Sequence, residues 1–222
     1  MLSTIKHSDF FDPAELKTPV HVIGVGAIGS HVAEQLARLG VPSLFLYDFD
    51  QVEPANVANQ MYRHDHIGKP KVLSCLDQLT EINPAIQVYT YPNGWQGQTL
   101  QGYVFICVDS IEVRRQIVQV NQYNPNIKAM FDFRMRLTDA QHYAASWDKP
   151  KQIQNLLDTM DFTHEEAKEA TPVSACGTTL SILPTIRVIT ALGVANFINH
   201  TKGTDLKNLI LIDAFDMSIL ST

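Results

Sequence analysis

The sequence predicts an α/β fold, a mostly parallel sheet with helices on both faces and an antiparallel extension. A short, β-branched apolar run at residues 20–25 reads as a strand buried on both faces, and the apolar runs at 43–47 and 103–108 read as further strands, the latter buried. A glycine turn of pattern G-x-G-x-x-G leads the first run straight into a helical repeat. The second and third runs each end in a carboxylate, Asp48 and Asp109, at the strand end where open α/β sheets bind ligands. This combination is Rossmann-like.

In the first unit, Gly24, Gly26 and Gly29 supply a tight turn, close backbone approach to a phosphate, and close helix-to-strand packing. Ile28, Val32, Leu36 and Leu39 then recur at helical spacing until Gly40-Val41-Pro42 ends the helix. Its N-terminus offers unpaired N–H groups and a positive dipole end, which suit a nucleotide phosphate. A glycine turn in some other strand-to-helix unit would show the same pattern. The continuation argues against that, because Asp48 stands about 20 residues beyond the glycines, where a ribose diol is held.

The bulk properties narrow the classes. With 222 residues, 45% of them hydrophobic and 18% charged, the chain has the composition of a globular domain with a sizeable core. A net charge of −6 argues against a broad nucleic-acid surface but allows a local basic pocket. The cysteines Cys75, Cys107 and Cys176 form no C-x-x-C pair, which argues against a disulfide framework and a four-cysteine zinc site. No signal-peptide core begins the chain, so a cytoplasmic setting is expected. The apolar segment 178–198 contains Arg187, Asn196, Pro184 and Gly193, so it reads as a buried helix, one that a second subunit could share, rather than a membrane span.

In chain order, residues 9–16 read as an apolar patch and a short capped helix, with Lys6 and His7 ahead of it expected to be mobile. Residues 51–71 form a long polar loop, and such loops at strand ends are usually functional. In it, Asn56 and Asn59 also suit turns, Arg63 and Lys71 a solvated face, and His64 with His66 an exposed polar pair. A helix begins at Pro70 and ends near Asn83-Pro84, which puts Lys71 in its first turn. A cation there opposes the helix dipole, a placement better tolerated with an anion nearby. Residues 85–91 alternate as a half-buried strand. Asp109 suits a Mg²⁺ ion shared with phosphate oxygens, and either Asp109 or Ser110 suits the N-cap of a helix at 111–122. Strands at 127–133 and 141–146, the second antiparallel, precede helical pieces at 151–158 and 164–170. Cys176 stands near a helix N-terminus, where a thiol is either activated or packed. A last strand at 208–213 leaves 214–222 as a tail.

The order of glycine loop, Asp48-Phe49-Asp50, Asn56, Gln60, Gly68 with Lys71, Asn83-Pro84, and Asp109 before a helix with Arg114 resembles the ThiF/MoeB family, relatives of the ubiquitin-activating enzymes. The resemblance runs from about residue 20 to 198. It implies an adenylyltransferase that uses ATP and Mg²⁺ to activate the C-terminal carboxylate of a ubiquitin-like sulfur-carrier protein or a peptide. It also implies a homodimer. On this pattern residues 1–222 form one adenylation domain with an N-terminal arm (1–18), a nucleotide-binding half (20–133) and a substrate or dimer half (134–222). Gly24, Gly26, Ala27 and Gly29 would pass close to the nucleotide, and Asp48 would hold the ribose. Asp50, Asn56 and Gln60 would line the reaction site, Lys71 would contact the phosphates, and Asp109 would bind Mg²⁺ with Ser110 beside it. Cys176, eight residues before Pro184, has the spacing of the family's sulfur-transfer or thioester cysteine.

Three departures stand out. Asn59 occupies the arginine position of N-x-x-R-Q, leaving Arg63 to reach the same phosphates. Only Lys6 stands where many members donate an arginine across a dimer, and the zinc-binding C-x-x-C pairs are missing. An NAD-dependent oxidoreductase, which the glycine loop and Asp48 alone would permit, and a nucleotide-binding relative without catalysis are the alternatives. The adenylation chemistry suits these residue types: a carboxylate already ionised at neutral pH needs no general base, only cations that offset the meeting of two anions.

Overall fold

Apolar runs too short for helices alternate with amphipathic stretches that need a sheet to cover them, and the chain satisfies both by layering. The computed structural model describes residues 2–169, 173 and 180–222. Its strands are β1 (Val20–Ile23), β2 (Ser43–Tyr47), β3 (Gln87–Tyr91), β4 (Gly102–Ile106), β5 (Ile127–Met135), β6 (Asp139–Ser146), β7 (Leu209–Asp213) and β8 (Ser218–Ser221). Its α-helices are α1 (Ala27–Arg38), α2 (Lys71–Ile82), α3 (Ile111–Asn121), α4 (Pro150–Asp158), α5 (His164–Glu169) and α6 (Leu183–Thr201). The strands make one sheet in the order β3-β2-β1-β4-β5-β6-β7-β8. The first five run parallel and the last three antiparallel.

Alternate residues of the central strands face opposite layers, as the period of two requires. Val20 and Val22 of β1, with Tyr103 and Phe105 of β4, pack under α1, α2 and α6. Ile23, Val104 and Ile106 face α3 and α4. Each fully buried aliphatic side chain here contributes about 1.5–3 kcal/mol. Helix α1 ends as its sequence prescribes. Gly40 takes a left-handed φ of 84°, and the N–H groups of Gly40 and Val41 donate to the carbonyls of Ala37 and Leu36 in a Schellman closure.

Four expectations are corrected. The helix expected at 178–198 runs over Leu183–Thr201, with Pro184 in its first turn, where a missing N–H is harmless. Residues 214–222 are no tail: residues 218–221 pair with β7 as the antiparallel edge strand β8, with Ile219 and Leu220 exposed. At the N-terminus the expected helix is only a 3-10 turn, Pro13–Glu15, capped by the Asp12 carboxylate, while Phe11 and Leu16 are buried. His7, expected to be mobile, is held by its Nε2, 3.2 Å from the Leu39 carbonyl. Among the described residues no helix is long and apolar enough to cross a membrane.

Helix α6 finds its burial within the chain, against α1 and against β5, β6 and β7. Gly193 lets it approach the sheet, because a Cβ there would overlap the ring of Phe133. Polar contacts tie it on two sides. The Gln35 side-chain amide donates to Thr190 Oγ1 at 3.0 Å, and Arg187 pairs with Glu34 at 2.8 Å. Deeper in, Asn196 Nδ2 donates to His142 Nε2 at 3.2 Å, so the ring proton lies on Nδ1, which donates to the Asp132 carbonyl at 3.1 Å.

Gly193→Val is expected to destabilise the fold by about 1–3 kcal/mol, the usual range for overpacking, read as a lower urea midpoint at unchanged slope. A pH dependence follows from two buried imidazoles. Burial lowers His21 and His142 from 6.5 to about 4 in the folded chain. The unfolded chain therefore takes up their protons first. The stability tied to their neutral forms is intact above pH 6.5 and declines as the pH falls towards 4, by an amount on the order of 3 kcal/mol for each ring. Urea titrations at pH 7.5, 5.5 and 4.5 should show this decline, and it should shrink in His142→Gln.

Candidate functional site

The strands flanking β1 are β2 and β4, so the helices that follow them leave on opposite faces and a crevice opens at the carboxyl ends. The glycine turn fills the floor of that crevice. Gly24 has φ 86°, and a Cβ on it would lie 2.8 Å from the carbonyl carbon and oxygen of Cys107, where β4 ends. A Cβ on Gly29 would collide with the Gly24 carbonyl oxygen. Around Gly26, by contrast, a Cβ would meet nothing within 4 Å. Gly26 is also the N-cap of α1 and gives it no side-chain cap, and Ala27 begins the helix. The first N–H groups of α1 thus have no side-chain cap, the arrangement that receives an anion.

Asp48 binds the turn to the end of β2. Its Oδ2 accepts from Val25 N at 2.8 Å and its Oδ1 from Asp50 N at 2.9 Å. Burial pushes this carboxyl up, while those two N–H groups and the nearby Lys71 oppose the shift. Asp50 in turn accepts from Lys71 Nζ at 2.8 Å, and the Lys71 side chain is 8% exposed against 49% for Asp50. The first turn of α2 is anchored to the same place, since Lys71 N donates to the Asp50 carbonyl. The structure therefore brings Asp48, Asp50 and Lys71 together with the glycine turn.

The loop between β2 and α2 is more ordered than its polarity suggested. Residues Pro54–Ala58 form a 3-10 turn in which the Asn56 side chain accepts from Glu53 N at 2.9 Å. Asn59 is fixed at both ends. Its carbonyl lies 3.1 Å from His31 Nε2, and its Nδ2 donates to Ser181 Oγ at 2.5 Å, joining this loop to the segment before α6. The side-chain oxygens of Asn59 and Gln60 are buried without a hydrogen-bond partner among the described residues. Arg63 departs from its expected role. Three carboxylates, Asp65, Asp77 and Glu81, hold its guanidinium on the outer side of α2 at 3.2, 3.1 and 2.7 Å. The expectation of an exposed histidine pair is also corrected: His66 is fully buried against Asp77, with its Nε2 3.2 Å from the carboxylate, and only His64 is exposed.

On the β4 side, Asp109 is exposed at the strand's carboxyl end. Ser110, not Asp109, is the N-cap of α3, its Oγ accepting from Val113 N at 3.2 Å. Behind the loop lies a buried charge network that the sequence reading did not assign. Arg114 donates to Asp132 and to the carbonyls of Val108 and Ile106. Asp132 is fully buried and also accepts from Arg134 Nε at 2.7 Å. A lone aspartate inside the apolar run of β5 was the available signal. A second unassigned residue, Tyr62, donates from its hydroxyl to the Val25 carbonyl at 2.6 Å, clamping the glycine turn from the loop side. Nothing in a polar loop marks that tyrosine beforehand. Cys176 lies outside the described residues.

Known proteins place this arrangement. The model of the ThiF family matches residues 15–220. The ubiquitin-like modifier-activating enzyme 5 of Caenorhabditis elegans is 44% identical over 69 residues, which are 31% of this chain and 16% of that one. Its Dictyostelium discoideum counterpart is 34% identical over 118 residues, covering 45% of this chain and 31% of that one. The crystal structure of Escherichia coli MccB with ATP superposes with a TM-score of 0.72 at 19% identity, covering 95% of this chain and 65% of that one, a likeness of fold. This chain thus spans less than a third of those two enzymes and about two thirds of MccB. By a family match that takes in nearly its whole length, the chain belongs to the ThiF family.

Proposed function

We propose that this chain binds ATP in the crevice at the ends of β1, β2 and β4 and transfers AMP to a carboxylate, the C-terminus of a ubiquitin-like carrier protein or of a peptide. The observation that carries this reading is the uncapped N-terminus of α1, open at Gly26, with Asp48 bonded to the same turn, Lys71 joined to it through Asp50, and Asp109 exposed past the carboxyl end of β4. Relatives named for activating ubiquitin-like modifiers, and a fold relative crystallised with ATP, support it.

In this reading the first N–H groups of α1 receive phosphate oxygens. Asp48 accepts from the ribose hydroxyls. A carboxylate has about four acceptor sites, and two N–H groups leave it capacity for more. Lys71 gives its charge to the phosphates, and Asp50 keeps the long side chain already ordered in the crevice. Asp109 has the character that Mg²⁺ needs, a single exposed carboxylate that phosphate oxygens would complement. The chemistry that ion supplies when bound is neutralisation of phosphate charge. One carboxylate oxygen of the substrate forms a bond to the α-phosphorus as the bridging P–O bond breaks, and the electron pair leaves with pyrophosphate. No proton moves. Orientation and charge offset are the residues' whole task, and no essential histidine is required.

Calorimetric titration with ATP, run beside NAD, tests the reading. Binding of ATP strengthened by Mg²⁺ is the expected result; tight NAD binding with no response to ATP would sink the proposal in favour of an oxidoreductase. Lys71→Ala should weaken ATP binding at least about tenfold, equivalent to about 1.4 kcal/mol, while the circular dichroism spectrum stays unchanged. Its partner Asp50 is half exposed and would be rehydrated rather than stranded.

A further inference from the structure

We infer that Arg114, held by the buried Asp132, is a positioning residue for Asp109, acting through the Val108 carbonyl, and that it determines how strongly the site uses Mg²⁺; this rests on the function proposed above. Arg114 sits in the first turns of α3, yet its side chain turns back past its own helix. One guanidinium nitrogen reaches Asp132 and the Ile106 carbonyl, and the other reaches the Val108 carbonyl. The Val108 carbonyl belongs to the peptide bond that carries the nitrogen of Asp109. That peptide plane is therefore pinned from below, while Ser110 is pinned from above as the N-cap of α3. Between two fixed neighbours, Asp109 has little backbone freedom left.

The burial of this network points the same way. Asp132 has no solvent exposure, and the Arg114 side chain has 8%. A buried ion pair stabilises a fold no better than a well-packed apolar pair of the same volume, so stability alone does not account for it. What an apolar pair could not supply is a planar donor that holds one carboxylate and two carbonyls at once. Arg134 completes the brace. Its Nε serves Asp132, its remaining nitrogens donate to Thr159 O and Oγ1 at 2.6 and 2.8 Å, and its guanidinium lies over the rings of Tyr143 and Phe162. Asp132 is thereby immobilised from the side opposite Arg114.

The test is ATP binding by calorimetry, with and without Mg²⁺, in the wild type, Arg114→Gln, Asp109→Ala and the double variant. In the wild type Mg²⁺ should tighten ATP binding at least about tenfold. Arg114→Gln should lose most of that enhancement while its Mg²⁺-free ATP affinity stays within about twofold of wild type, and the double variant should be no worse than Asp109→Ala. An enhancement retained in folded Arg114→Gln, or effects that add in the double variant, would overturn the inference. A loss of ATP affinity equal with and without Mg²⁺ would do so as well, since a merely structural role predicts it. If Arg114→Gln does not fold, Arg114→Lys keeps a cation beside Asp132 but not the fork, and an intermediate enhancement is expected; a full wild-type enhancement there overturns the inference. A wild type that does not bind ATP at all overturns the functional reading itself, and this inference with it.

Discussion

At the exit of β1, three backbone segments lie closer together than any side chain would allow. The Gly24 carbonyl occupies the space where Gly29 would carry a Cβ, and Gly24 itself lies against the last carbonyl of the β4 exit at Cys107. This contact sets the angle at which α1 leaves the sheet, and so the direction of its free N–H groups. It also sets the separation between the β1 and β4 ends, and with it the width of the crevice. Asp48 and Tyr62 then secure the one residue between the glycines that remains, Val25, by its N–H and its carbonyl. A turn without side chains is thus held rigid by side chains that come from elsewhere.

That division of labour explains how much of the site was legible in the sequence. Residues whose place is imposed by the backbone, Gly24 and Gly29, or by a fixed offset from a strand end, Asp48 and Asp109, carry that place in their spacing. Lys71 was legible for a different reason, a cation in the first turn of a helix, where it opposes the dipole. The fold was legible through pattern: the continuous apolar runs of β1 and β4 and the helical repeat of α1 follow directly from which faces are covered. Residues that work through tertiary contact were not legible. Arg63 stands at a plausible distance along the chain, yet the acidic side chains of α2 compete for it and win. Tyr62 and Asp132 act on partners 37 and 18 residues away in the chain, at Val25 and Arg114. The edge strand β8 was missed because its short apolar run is exposed, and nothing local distinguishes it from a tail.

Electrostatics in the crevice are balanced before any ligand arrives. Lys71 lies against Asp50, and Asp48 is satisfied by backbone donors. In the proposed function, binding a phosphate chain would be an exchange of partners for the lysine rather than the capture of a bare cation.

A consequence also lies in α6. Apolar residues occur on both its inner and outer sides, with Ile186, Ile189 and Phe197 buried and Val188 partly exposed. Burial alone therefore distinguishes poorly between one rotation of this helix and the next, or between the observed seat and one shifted by a turn. Its polar residues do discriminate. Thr190 meets Gln35, Arg187 meets Glu34, and Asn196 meets both His142 and the Lys207 backbone. Any slip would strand several of these groups at once in a medium that offers no water. The few hydrogen bonds along α6 thus act less by deepening the native minimum than by raising its competitors, and they give an otherwise featureless helix a single address.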